Sequence, residues 1–280
     1  MQVVVSSANS AVRAARKLAA RRGRERAHAF LVEGPRAVGE AVPVLRHLFV
    51  TPEAAARHPA LVERAARSGV AVIHATAEVV SSIADTVTPQ GIVGVAALPE
   101  PGLTSVLETA TLLVVGVRVA DPGNVGAIVR VADAAGADAV VLTTGSVDPR
   151  NPKAVRASAG SLFHLPVLAR SDLDAVFAAC KAYGLRLVAT DASAQMPYTQ
   201  LDLRAPTALV FGNEAHGLPA HVRSACDAAV RVPIHHRPGG GAESLNLAMT
   251  VAVLAYEAAR QRAVMPGDSL PTGHSAQSGP

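Results

Sequence analysis

Apolar and polar positions alternate in blocks along most of this chain, and the clearest block is Leu112-Leu113-Val114-Val115-Gly116-Val117. It is followed by Asp121-Pro122-Gly123-Asn124 and then by Val125, Ile128, Val129, Ala132 and Ala135 at helical spacing. A buried strand, a Pro/Gly turn and an amphipathic helix aim backbone N–H groups and a few polar side chains at a ligand beyond the strand's end. The same alternation continues downstream. Strands are predicted at 111–119, 138–143, near 165–168, 185–190, 207–211 and 229–233, with helices at 124–136, near 152–160, 171–183, near 218–225 and 243–262. That order predicts an α/β domain with a parallel sheet covered by helices.

Upstream the pattern predicts a smaller α/β unit. Ala29–Val32, Leu48–Val50, Val70–His74 and Ile92–Ala97 read as strands, and Pro35–Val44 and Pro59–Ser68 as helices. Before them, Val12, Ala15 and Ala19 recur at helical spacing while Arg13, Lys17 and Arg21 form an i, i+4 row, so Ser7–Arg22 is predicted as one basic amphipathic helix. Pro99-Glu100-Pro101-Gly102 breaks regular structure. The expected division is therefore 1–98, a linker 99–104, a main domain 105–263 and a tail 264–280, rich in Pro, Gly, Ser and Thr and predicted to be disordered.

With 280 residues, half of them apolar, the chain can bury two cores. The net charge of +4 is modest, yet Arg13, Arg16, Lys17, Arg21, Arg22, Arg24 and Arg26 crowd one stretch. That stretch is either a solvated face or a contact for a polyanion. With no Trp and 3% aromatic residues, a broad base-stacking platform is excluded, so nucleic acid would be gripped by charge and shape. Cys180 and Cys226 form no CxxC, which argues against a disulfide framework and points to a reducing compartment, the cytoplasm. No apolar run approaches the ~20 residues that span a bilayer.

Three constellations carry candidate chemistry. In the first, Arg130 lies off the apolar stripe of its helix, and Asn124 falls at the expected N-cap, a structural role sufficient to explain it. The glycines at 116, 123, 126 and 136 do not match GxGxxG, which weakens a dinucleotide reading and with it a nucleotide-dependent oxidoreductase. The second is the strand Ala208–Phe211 running into Gly212-Asn213-Glu214-Ala215-His216-Gly217-Leu218, where a glycine allows close backbone approach and Glu214 offers a carboxylate at the strand's carboxyl end. The third is Val232-Pro233-Ile234, a loop from His235 to Ala242, and Glu243-Ser244-Leu245-Asn246 opening the last helix. No Gly-Lys-Ser/Thr follows its glycines, so it is not a P-loop. His216, His221, Cys226, His235 and His236 match no usual structural zinc spacing, and no metal is expected.

Taken together, Asn124-x-Gly126 with Arg130, Phe211-Gly212-Asn213-Glu214-x-x-Gly217-Leu218, and Val232-Pro233-Ile234 with Glu243-Ser244-Leu245-Asn246 resemble motifs 1, 2 and 3 of the SpoU (TrmH) family of RNA ribose 2′-O-methyltransferases. Asp148–Gly160 is similar to that family's segment between motifs 1 and 2. Phe30-Leu31-Val32-Glu33-Gly34 and Thr88-Pro89-Gln90-Gly91 resemble the L30e-like substrate-binding domain of members acting on ribosomal RNA. Motif 3 departs from the pattern by a longer stretch over His235–Ala242.

The resemblance implies a SPOUT fold with a trefoil knot near the C-terminus, S-adenosylmethionine as cofactor, and a homodimer with sites near the subunit interface. It implies 2′-O-methylation of a ribose in RNA, 23S ribosomal RNA first and transfer RNA as the alternative, with a non-catalytic ribosome-associated binder as a further option. By position, Asn124, Arg130, Glu214, Ser244 and Asn246 would form the catalytic set, and Thr190, Gly212, Asn213, Val232, Ile234 and Leu245 would hold the cofactor. Arg13, Lys17, Arg21 and Arg24 are expected on RNA phosphates, with Lys153 and Arg156 as further RNA contacts.

Overall fold

The computed structural model describes residues 3–97, 100–235, 240–242 and 244–263. The expected tail 264–280 lies outside the described residues, as do 236–239 and 243 within the expected motif 3 insertion.

Upstream, the chain runs α1 (Ser10–Arg16), α2 (Arg21–Ala27), β1 (Phe30–Glu33), α3 (Pro35–Ala41), β2 (Leu45–Val50), α4 (Pro52–Arg57), α5 (Pro59–Arg67), β3 (Ala71–His74), α6 (Ala77–Ile83) and β4 (Ile92–Ala96). The four strands pair in the order β1-β4-β2-β3, with β2–β3 parallel and both β4 pairings antiparallel. Sequence pattern misses α4 and α6. Both are short and owe their starts to local chemistry: the hydroxyls of Thr51 and Thr76 accept from the Ala54 and Val79 amides.

The single basic helix expected over Ser7–Arg22 is two helices. Asn9 caps α1, a 3-10 turn follows at Lys17–Ala19, and Ala20 is extended. The fold-back requires Gly23, because a Cβ there would sit 1.8 Å from the Lys17 carbonyl oxygen. The break also redirects Arg24, which becomes 4% exposed. Its Nε donates to Asp148 at 2.8 Å, and its terminal nitrogen donates to the Leu18 and Ala19 carbonyls at 3.1 and 2.9 Å. Arg24 is thus a structural tie between the two halves of the molecule, not a phosphate contact, which corrects the expectation for that residue. Arg13, Lys17 and Arg21 remain exposed.

Downstream lie α7 (Leu103–Leu107), β5 (Leu112–Gly116), α8 (Pro122–Ala134), β6 (Ala139–Thr143), α9 (Pro152–Ala157), β7 (Val167–Ser171), α10 (Leu173–Ala182), β8 (Arg186–Thr190), β9 (Met196–Pro197), β10 (Thr207–Phe211), α11 (Ala220–Ser224), β11 (Ala228–Arg231) and α12 (Leu247–Ala263). Seven strands pair in the order β7-β6-β5-β10-β8-β11-β9, all parallel. Both faces are covered. Leu112 and Val114 join one core cluster with α8 and α12, and Leu113 and Val115 join another with α10, so the strand reads as a continuous apolar run. The first strand ends earlier than expected because Arg118 turns into the left-handed region at φ 54°. Val117 and Val119 stay buried but serve a loop.

The two sheets are joined by side chains as well as by chain. The Phe30 and Phe163 rings stack at 6.1 Å, and Arg170 reaches Glu25 at 2.9 Å. Arg156 pairs with Asp85 at 2.8 Å and Glu33 at 3.5 Å.

Candidate functional site

Two loops close on each other beyond the carboxyl ends of the adjacent strands β5 and β10. The Val117 amide donates to the Phe211 carbonyl at 2.8 Å, carrying the pairing one residue past the strand. After β10 the chain turns back at once: Asn213 and Gly217 exchange backbone bonds of 3.1 and 2.8 Å. Gly212 makes this possible, since a Cβ there would lie 2.1 Å from the Gly217 carbonyl carbon and 2.4 Å from the Leu218 nitrogen. Asn213 stitches both loops, accepting from the Ala215 and His216 amides and donating to the Arg118 carbonyl at 2.8 Å.

The α8 helix begins at Pro122, and its N-cap is Asp121, whose carboxylate accepts from the Asn124 amide at 2.9 Å. The expectation that Asn124 is the cap is therefore corrected. An Asp-Pro pair places the acceptor at the N-cap and the donor-free residue at N1, which is the signal that sequence reasoning passed over. The consequence is chemical, because the Asn124 side chain is released for the site.

That side chain sits in a chain of hydrogen bonds whose orientation is fixed at both ends. The Glu214 carboxylate accepts from the Ala120 and Asp121 amides, each at 3.1 Å, and from Asn124 Nδ2 at 2.9 Å. An ionised carboxylate only accepts, so Asn124 must turn its amide nitrogen there and its oxygen outward. That oxygen accepts from Asn246 Nδ2 at 2.9 Å, while Asn246 Oδ1 caps α12 by accepting from the Ala248 and Met249 amides at 2.9 and 3.3 Å. Burial pushes the Glu214 carboxyl up, but the hydrogen bonds from Asn124 and from the Ala120 and Asp121 amides outweigh it and hold the group below its ordinary range.

Beside this chain opens a cleft of about 300 Å³. Asn124, Thr190, Gly212, Asn213, Glu214, Val232, Ile234, Ser244, Leu245 and Asn246 all line it, which brings together every predicted site residue of the main domain except Arg130 and the two RNA candidates on α9. Its walls are mixed: Phe211, Val232, Ile234 and Leu245 are apolar, and the Thr190 hydroxyl is buried without a hydrogen-bond partner among the described residues. A buried hydroxyl left unpaired among the described residues, between apolar walls and a polar rim, fits a ligand that brings its own polar edge. Thr250 also lines the cleft and was missed, although it stands one helical turn beyond Asn246.

Arg130 lies elsewhere. Six residues on from Asn124, it projects roughly 9 Å along α8 and about 120° around it. It is exposed and makes no hydrogen bond or ion pair among the described residues. Lys153 pairs with Asp121 at 3.0 Å, and Arg156 is committed to Glu33 and Asp85, so both predicted RNA contacts also have structural partners. Among the described residues no group of three or more His, Cys, Asp or Glu could hold a metal ion, and His236 lies outside them. No helix is long and apolar enough to cross a membrane among the residues described.

An all-parallel sheet, a cleft at its strand ends lined by three separated loops, and a small cation-bearing α/β unit define a ligand-binding enzyme domain coupled to a second recognition unit. The chain belongs to the SpoU rRNA Methylase family, which matches residues 111–256, and residues 9–94 match an MRM3-like substrate binding domain. It is 34% identical to the 23S rRNA (guanosine(2553)-2′-O)-methyltransferase RlmP of Bacillus subtilis over 91% of this chain and 98% of that protein. Among solved structures it resembles the AdoMet-bound rRNA methyltransferase of Sinorhizobium meliloti, with TM-score 0.82, 30% identity, and 92% and 97% of the two chains covered. It also resembles the SpoU methyltransferase AviRb of Streptomyces viridochromogenes in complex with AdoMet, with TM-score 0.78, 31% identity, and 91% and 99% covered.

Proposed function

We propose that this protein transfers a methyl group from S-adenosylmethionine to a ribose 2′-hydroxyl of RNA, with 23S ribosomal RNA as the substrate. The observation that carries this reading is the cleft that gathers residues of all three motifs around the buried Thr190 hydroxyl, unpartnered among the described residues. When bound there, S-adenosylmethionine would supply an electrophilic methyl group on a sulfonium. The chain's own residues do the rest. Gly212 lets the loop backbone approach the ligand, Val232, Ile234 and Leu245 exclude water from it, and Thr190 offers a hydroxyl to its polar edge. The oriented Glu214–Asn124–Asn246 chain fixes the rim on which the ribose would rest, and Ser244 lines the same rim.

Arg130 is assigned to the substrate. Arginine stays protonated throughout the accessible pH range, so its role is to grip the adjacent phosphate and stabilise the developing alkoxide, with a phosphate oxygen or water accepting the proton. Because Arg130 does not line the cleft of its own chain, the proposal includes a homodimer in which one copy's Arg130 serves the other's cleft. An exposed stripe on α12 supports this: Met249 and Tyr256 are each 53% exposed, next to a cleft whose Leu245 is 41% exposed. The division into a substrate unit 1–98 and a catalytic unit 105–263, the C-terminal knot and a cytoplasmic location belong to the same proposal. The separate matches at 9–94 and 111–256 support the division.

Titration calorimetry tests the cofactor assignment. Wild-type protein and Arg130→Ala should bind S-adenosylmethionine alike, Gly212→Val should not bind it, and NAD should give no heat. Binding of NAD, or failure of the wild-type protein to bind S-adenosylmethionine, would overturn the proposal.

A further inference from the structure

A second cleft, of about 490 Å³, lies on the smaller unit where the end of α9 meets it, away from the three motifs. One wall is the turn between β1 and α3, where Gly34 has φ 84°. The other is the loop 84–91, and Arg156 of α9 closes the far side. The Glu33 side chain, 7% exposed, builds this shape. Its carboxylate accepts from the Asp85 and Thr86 amides at 2.9 and 3.2 Å and from the Thr86 hydroxyl at 2.6 Å, and it pairs with Arg156. Arg156 also holds Asp85, so the loop is tied both to β1 and to α9, which sets the width of the cleft.

What this framework leaves unused is informative. Arg36, Thr88 and Gln90 line the cleft, and their side chains make no hydrogen bond or ion pair among the described residues. The Gln90 carboxamide lies over Gly34, whose added Cβ would meet its Oε1 at 3.2 Å. With Glu33 and Asp85 engaged by Arg156, Arg36 is the cation left over. At the tip of the loop Val87 is 100% exposed, an apolar side chain beside a polar cleft. A free carboxamide offers a donor and an acceptor side by side, as a base edge requires, and RNA bases are read mainly where they are unstacked.

We propose that this cleft receives one nucleotide of the substrate RNA, distinct from the methylated one and splayed out of its stack. Gln90 and Thr88 meet the base edge, Arg36 its phosphate, and Val87 the base left behind. This rests on the RNA reading above and adds a second point of grip, fixing the register in which the target ribose reaches the methyl donor. Arg156 acts as a positioning residue here, holding the wall.

The test compares wild-type protein with Thr88→Trp, which fills the cleft, Gln90→Ala, and Arg36→Glu, using the full chain and a 23S rRNA transcript. Each variant should raise KM for RNA by about tenfold, the scale of one or two lost base contacts, with kcat at saturating RNA and S-adenosylmethionine affinity unchanged. Chemical probing should show one nucleotide other than the target shielded by the wild-type protein and reactive again with Thr88→Trp. Only Arg36→Glu should flatten the salt dependence of binding. Wild-type KM in Gln90→Ala and Arg36→Glu would overturn the proposal even if Thr88→Trp misfolds, and so would shielding that survives a folded Thr88→Trp. Active wild-type enzyme with unaffected variants refutes the cleft alone. A wild-type protein that methylates no RNA refutes the function and the cleft with it.

Discussion

Removing the Arg24 side chain should cost the protein stability and leave its electrostatic grip on RNA intact. The guanidinium makes three hydrogen bonds in an almost fully buried position, to Asp148 Oδ2 and to the Leu18 and Ala19 carbonyls. In Arg24→Ala all three acceptors lose their partner. Breaking a buried ion pair from one side costs about 3–5 kcal/mol, because the other charge is left without compensation. The Asp148 side chain is 19% exposed and still accepts from the Arg150 amide, so water and that bond soften the loss and place the expected cost near the lower end, about 3 kcal/mol. Urea unfolding of wild type, Arg24→Ala, Asp148→Ala and the double variant measures it, and the double variant should be less costly than the sum of the singles. By contrast Arg13→Ala and Lys17→Ala, on exposed positions, should stay within ~0.5 kcal/mol of wild type and each reduce the salt slope of RNA binding by about 0.9. An Arg24→Ala protein as stable as wild type but with a flattened salt slope would refute the structural assignment.

Arg130→Ala should abolish methyl transfer while keeping cofactor affinity, and near-normal turnover would remove Arg130 from the substrate site. Gly212→Ala should weaken S-adenosylmethionine binding at least about tenfold and destabilise by ~1–3 kcal/mol, because its Cβ meets the Gly217 carbonyl carbon at 2.1 Å; wild-type calorimetry would contradict the close-approach argument. The folded-state pKa of Glu214 is depressed from 4.5, so its share of stability is present above that value and disappears as pH falls through the lower folded value. Glu214→Gln should therefore flatten the acid limb of the stability–pH curve, and an unchanged limb would show that the carboxylate is not held by those donors. A Met249→Glu, Tyr256→Glu double variant should sediment as a monomer and lose activity, whereas an unaltered dimer would place the subunit contact elsewhere.

The parallel sheet was legible because both of its faces are buried, which turns β5, β6 and β10 into unbroken apolar runs with helical patterns between them. β9 was not, since two residues, one exposed and one half-buried, paired on one edge only, leave no period to read. The site was legible as residue types in order, and the cleft gathers those of its rim and walls. Roles were less so. Asn124 read as a cap because two cap-forming residues stand three positions apart, and the weight of the Asp121-Pro122 pair, which puts the cap at Asp121, was passed over. Arg24 read as one more surface cation because nothing local announces Asp148, which lies 124 residues away. The Glu214–Asn124–Asn246 orientation also depends on contacts between distant loops.

The most direct measurement of the central claim is a map of 2′-O-methyl groups on unmodified 23S rRNA incubated with the purified protein and S-adenosylmethionine. The account predicts one ribose methylated by the wild-type protein and none by Arg130→Ala. Methyl groups on a base, or none at all with the wild-type protein on that RNA, would contradict it.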